Sequence, residues 1–284
     1  MDNKKEKKEI TIFGVSIWKI FLYFIIYSVL GYIIETLFGL VTKGVIESRK
    51  SFLVGPFCGI YGLGAVVMIL ALKNMKQNNF SLFFGGFLVG SVVEYLVSWI
   101  GEMFFHVMWW DYSNIPFNIN GRICVQYSFF WGLLAIFLMT YCNPKVDRFI
   151  VWLDRKVKAT YRKPIILTIV IALFIDCAVT GFALKMFFTR LVDVYHFNIA
   201  NTDQYIGTYT QMYEQPKMKE FVDHYFSNEV MLKTFPNLKV ETEDGKILYV
   251  ADAFPDIQTE YVKLFTPKAL DSANILENIR RNQN

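Results

Sequence analysis

Five long apolar stretches separated by short polar loops dominate the first two thirds of the chain. They run from Trp18 to Val41, Leu53 to Leu72, Phe80 to Phe105, Ile123 to Tyr141 and Ile165 to Phe188. A helix needs about 20 mostly apolar residues to cross the hydrocarbon core of a bilayer. One such run can be a buried helix of a soluble enzyme, but five in succession cannot. Between the fourth and fifth, Pro144 to Lys163 has a different rhythm. Val146, Phe149, Ile150, Leu153 and Val157 recur at helical spacing, while Arg148, Arg155, Lys156 and Lys158 take other faces. That pattern predicts a basic amphipathic helix in the headgroup region, either lying on anionic lipid or docking a cytoplasmic partner.

Beyond residue 191 the apolar runs stop. Met218 to Leu232 has helical periodicity, and two short β-type runs flank Glu243-Asp244-Gly245, a hairpin signal because Asp-Gly tolerates positive φ. The expected fold is an all-α polytopic membrane protein. It has about five transmembrane helices, an amphipathic interfacial helix and a small α+β C-terminal tail. The expected boundaries are 1–17 for a basic cytoplasmic N-terminus, 18–191 for the membrane domain with its interfacial helix at 144–163, and 192–284 for a soluble region.

Composition sharpens this division. Of the 284 residues 54% are hydrophobic and only 19% charged, against about a quarter charged in an ordinary soluble domain. The net charge of +4 hides an asymmetry: the chain carries +9 through Leu191 and −5 after it. Lys4, Lys5, Lys7 and Lys8 resemble the start of a signal peptide. The run that follows, however, is too long, contains Glu35 and lacks a small-x-small cleavage site. With the N-terminus inside, inner segments hold 13 Lys and Arg and outer loops hold 4, Lys43, Arg49, Lys50 and Arg122. The positive-inside rule then predicts a cytoplasmic N-terminus and an extracellular C-terminus. Lys43, Arg49 and Lys50 fit that scheme poorly, and a re-entrant second stretch would alter it. Cys58, Cys124, Cys142 and Cys177 all lie in or beside apolar stretches, with no zinc spacing and no disulfide framework in the tail.

Candidate chemistry centres on carboxylates within the spans, which are costly in lipid and usually face a protein interior or a water-filled path. Glu35 shares a helix face with Ser28, Gly31 and Gly39. Glu94 shares one with Gly90, Ser98 and Gly101, and Asp176 one with Thr168, Ala172 and Thr180. Small and hydroxylated neighbours admit close helices. Glu35, Glu94 and Asp176 are therefore expected to face a shared interior, either as protonated packing groups or as the lining of a substrate or ion path. Gly55, Pro56, Gly59 and Gly62 mark the second span as a site of close helix packing or of a broken helix. An outer-face polar cluster is expected from Arg49, Glu102, His106, Asp111 and Arg122. Trp109, Trp110 and Tyr112 nearby suit an interfacial belt. Glu102, His106 and Asp111 match no metal motif, and no nucleophile with its base is identifiable. There is no P-loop and no basic-aromatic arrangement for nucleic acid. No metal, cofactor or nucleic-acid partner is expected.

Four ordered motifs carry a resemblance. They are Tyr27-Ser-Val-Leu-Gly-Tyr-Ile-Ile-Glu35, Arg49-Lys-Ser-Phe-Leu-Val-Gly-Pro-Phe-Cys-Gly-Ile-Tyr-Gly62, Val93-Glu-Tyr95, and Trp110-Asp-Tyr112 through Asn118-Ile-Asn-Gly121. Over residues 18 to 190 the chain resembles the ABC-transporter permease family of the CmpB type, found chiefly in Gram-positive bacteria. The resemblance implies a multi-pass cell-membrane protein acting as the permease component of a transport system, with a separate cytoplasmic ATPase subunit. Its partners would then be the bilayer, that ATPase and, left open, a second copy of the chain. Two alternatives stand beside it: a membrane-embedded enzyme acting on a lipid or envelope substrate, and a non-transporting scaffold or sensor.

Overall fold

The computed structural model describes residues 10–75, 78–105, 110–200 and 203–265. A two-stranded ribbon, β1 (Thr11–Ile12) and β2 (Val15–Ser16), leads into α1 (Ile17–Lys43). Helix α1 is apolar around its circumference and leaves Ile33, Ile34, Leu37, Phe38 and Val41 exposed, as a lipid-facing surface requires. It stops at Gly44, whose φ of +69° places it in the left-handed region with its N–H on the Leu40 carbonyl. A side chain there would collide with the Phe265 carbonyl oxygen, so glycine serves both the turn and the close approach. Strand β3 (Val45–Glu47) follows.

The second apolar stretch is not helical throughout. Residues 48–58 form an irregular strap, and the helix α2 covers only Gly59–Leu72, ending in a 3₁₀ turn at Lys73–Met75. Pro56 biases the residue before it away from the α region, and Gly55 takes φ +78°. The Cys58 N–H donates to the Ser28 carbonyl at 2.9 Å, so α2 begins beside the middle of α1. It then runs antiparallel to α1 as far as Lys73, whose ammonium meets the Phe13 carbonyl. Two glycines set this contact. A Cβ on Gly31 would lie 2.3 Å from the Tyr61 Cβ, and one on Gly62 would lie 2.1 Å from the Ser28 Oγ.

Helix α3 (Asn79–Phe105) packs closely against α4 (Val125–Phe137). Gly86 abuts Ala135 and Gly90 abuts Trp131 at distances no larger residue could keep. The intervening loop carries the ribbon of β4 (Asn118–Ile119) and β5 (Ile123–Cys124). A π turn at Leu138–Cys142 carries α4 straight into α5 (Asn143–Lys156), absorbing Pro144 and its missing N–H. The amphipathic helix expected over 144–163 is thus shorter. Val157 is extended, and from Ala159 the chain already belongs to α6 (Ala159–Asp193).

Among the described residues, four helical stretches are long and apolar enough to cross a membrane: Ile17–Lys43, Asn79–Phe104, Val125–Lys156 and Thr160–Asp193. Gly59–Met75 is a shorter apolar helix. Helix α6, with 35 residues, is roughly 50 Å long at 1.5 Å per residue, well beyond a hydrocarbon core of about 30 Å. Its last turns form the spine of the C-terminal region. Around it fold α7 (Asp203–Tyr213), α8 (Pro216–Tyr225), α9 (Asn228–Thr234) and the hairpin of β6 (Lys239–Glu241) and β7 (Ile247–Tyr249). Phe187, Phe188, Leu191, Met231, Leu232 and Val240 are all buried there. Arg190, also buried, ties the layers by donating to Asp223 at 2.9 Å and to the Phe226 carbonyl at 2.6 Å. The single helix expected over 218–232 is two, parted at Phe226–Ser227, where Ser227 caps α9. Last, β8 (Glu260–Lys263) pairs antiparallel with β3, returning the chain to the exit of α1.

Candidate functional site

Where the second span is broken, a cavity of about 660 Å³ opens. Its floor is the start of α2, at Cys58, Gly59 and Tyr61. Val97, Ile100 and Gly101 of α3 and Thr180, Gly181 and Leu184 of α6 form the sides. The turn after α9, Phe235 to Leu238, closes over it, so the C-terminal region contributes to the chamber.

The charged rim follows from β3 and the strap. Glu47 is nearly buried, and its Oε1 takes three donors: Arg49 at 2.8 Å, Lys43 at 3.3 Å and the Asn237 amide at 3.1 Å. Lys43 also donates to the Asn237 Oδ1 at 2.8 Å. Glu35 faces the cavity from α1, accepts the Tyr61 hydroxyl at 2.6 Å and lies 4.0 Å from Arg49. Gly39 makes room for the Arg49 guanidinium, which would be 2.8 Å from a Cβ there. Lys43 and Arg49, awkward as outer-loop cations, are thus matched by Glu47 and Glu35.

The three intramembrane acids occupy different settings. Glu35 lines the cavity. Glu94, buried on α3, accepts the Tyr112 hydroxyl at 2.9 Å and the Trp131 indole N–H at 2.8 Å. Tyr112 lines the cavity, so Glu94 touches it through one side chain. Burial and the nearby Glu94 carboxylate raise the Tyr112 phenol well above its ordinary pKa, which keeps it a donor. Asp176 accepts the Val54 N–H at 3.1 Å, and Thr180 accepts that of Leu53 at 3.0 Å, pinning the strap to α6. The rest of the row expected beside Asp176 differs: Thr168 and Ala172 are exposed, because α6 packs inward through Ile166 and Leu173 instead.

The outer-face residues also separate. Arg122 pairs with Glu102 and stacks over the Tyr95 ring. Asp111 accepts from the Ser113 N–H and hydroxyl, bracing the 110–124 loop. Arg49 belongs with Glu35 and Glu47, and His106 lies outside the described residues. Among the described residues no three His, Cys, Asp or Glu side chains converge as a metal site would require. Sequence reasoning did not single out Glu47, Tyr61, Trp131 or Asn237. Only Glu47, four residues after Lys43, carried a local signal, and the others meet the site through long-range packing.

Long apolar helices with outward-facing Leu, Ile and Phe, joined by short loops, define an integral membrane protein. Within that class, the chain belongs to the family described as "Putative ABC-transporter type IV", whose model matches residues 22–181, more than half its length. That match ends in the middle of α6, before the C-terminal region begins. No curated protein and no solved structure matches the chain.

Proposed function

We propose that this protein is the membrane-embedded permease component of a transport system and that the cavity at the broken span is its substrate chamber. The observation that carries the reading is the strap over residues 48–58. It replaces half a helix with irregular backbone where a chamber of ligand size, about 300–1,000 Å³, meets Glu35, Arg49 and the N-terminal end of α2. Broken helices in transporters serve this purpose, since irregular backbone at membrane depth persists only where it is buried or lines a cavity. Glu35 acts at the chamber, Glu94 sets the Tyr112 hydroxyl in its wall, and Asp176 holds the strap in place.

The basic segment of α5 and the start of α6 meets the start of α1, where Lys19 pairs with Asp147 of α5 at 2.7 Å and Lys163 of α6 lies over the Trp18 ring. This supports a cytoplasmic N-terminus by the positive-inside rule. The exposed face of α5, with Phe149 and Trp152 stacked on it, is where an ATPase subunit would dock. The C-terminal region then lies outside the cell.

Co-reconstitution of the full chain with the ATPase encoded beside it tests the reading. ATP hydrolysis should rise several-fold over the ATPase alone. Glu35→Gln should cut that stimulation while leaving the melting temperature in place, and Phe149→Glu should remove co-purification. An introduced cysteine at Thr160 should resist membrane-impermeant thiol reagents in intact cells. Absence of any stimulation or complex would overturn the permease assignment.

A further inference from the structure

The chamber is charged at one end and apolar along its length. At the charged end Lys43, Arg49 and Lys50 stand against Glu35 and Glu47. Glu47 spends one oxygen on three donors. Glu35 is 4.0 Å from Arg49, beyond hydrogen-bonding reach. The Arg49 Nε is buried against Gly39, and Nη2 is spent on Glu47, so the donors that Arg49 offers the chamber are those of Nη1. Lys50 lines the cavity with no described carboxylate within ion-pairing distance. Helix α2, 14 residues long, begins in the floor and adds the positive end of its dipole. The unspent charge facing the chamber is therefore positive.

Along one side the lining is hydrocarbon, from Phe24, Leu63, Val97, Ile100 and Leu184. Leu63 and Ile100 are each 42% exposed, so this wall is not sealed by protein. At this level a strap stands in for helix, and the exposed Leu63 and Ile100 belong to α2 and α3. Water gains nothing from such a wall, whereas an acyl chain does. We propose that the chamber binds a lipid with an anionic, phosphate-type headgroup. The head lies at Arg49 and Lys50 under the turn at Pro236–Asn237, and the chain runs along Leu63, Val97 and Ile100 toward the bilayer. A guanidinium with free donors suits phosphate oxygens.

This assignment deepens the permease reading, and its test needs no ATPase, so failure of lipid binding and failure of coupling are separate results. The full chain, purified in a neutral detergent, is titrated with dioleoylphosphatidylglycerol, dioleoylphosphatidylcholine or glycerol 3-phosphate while thermal unfolding is followed. Phosphatidylglycerol should raise the melting temperature by several degrees and saturate, and the other two should not. Arg49→Gln should weaken that binding by about tenfold or more, the loss of a charge-assisted contact. Val97→Trp fills the apolar wall without touching an ion pair and should abolish the shift in a folded protein. It decides alone if Arg49→Gln does not fold. An equal shift with phosphatidylcholine overturns the headgroup assignment. A shift with glycerol 3-phosphate alone makes the ligand a small soluble anion and overturns the lipid. Retention of the phosphatidylglycerol shift in Val97→Trp places the lipid elsewhere and overturns the site.

Discussion

The C-terminal region and the membrane bundle are both built on α6, yet they are held together by different forces. Around the last turns of α6 the core is Phe, Met, Leu, Ile and Val removed from water, with one buried arginine tying the layers. In the bundle the close contacts are glycines beneath aromatic rings and hydroxyls bonded across helices, such as Ser91 to Ser128 at 2.6 Å. Many of the large apolar side chains there point outward, around a smaller buried set that includes Met68, Leu72, Leu82 and Met139. Where water is the alternative, burying hydrocarbon drives folding. Where lipid is the alternative it does not, and shape and polar satisfaction decide.

Three measurements can break this contrast. Phe188→Ala, in the water-driven core, should cost about 4 kcal/mol. Limited proteolysis should then cut the region after residue 200 while the helices before α6 stay protected. Cleavage spread evenly over the chain would show that the two regions are one cooperative unit. Gly62→Ala forces a Cβ toward the Ser28 Oγ and the Phe24 carbonyl. Overpacking of this kind costs typically 1–3 kcal/mol, so a lowered melting temperature in detergent should accompany an intact C-terminal region. A neutral result would mean that α2 slides freely on α1. Ser91→Ala removes one interhelical hydrogen bond and should cost about 0.6 kcal/mol. A cost several times larger would mean that polar contacts, rather than close packing, carry the bundle.

Hydrophobic runs announced the helices because span length and lipid exposure are local properties of sequence. They did not announce the end of α5, since Val157 and Lys158 continue the helical spacing while the backbone turns extended there. The break in the second span was half legible. Pro56 and its glycines mark it, but the alternative of close packing fits the same residues. The structure contains both, with Gly55 in the strap and Gly62 of α2 packed against α1. Glu35 and Arg49 were each visible as candidates. Their meeting depends on Gly39 leaving space and on Glu47 and Asn237, 190 residues apart, sharing a hydrogen bond, and no short pattern encodes that.

The pairing of β3 with β8 also has a consequence for biogenesis. Val45 leaves the ribosome early, yet its partner Lys263 comes more than two hundred residues later. The first span must therefore insert, and the strap after it must wait, until the five helices from α2 to α6 and the folded C-terminal region have been made. The turn at Asn237 that covers the chamber also arrives late. An unfinished chain thus holds its charged end of the chamber open, and a complete protein is distinguished from a truncated one by whether that end has been closed.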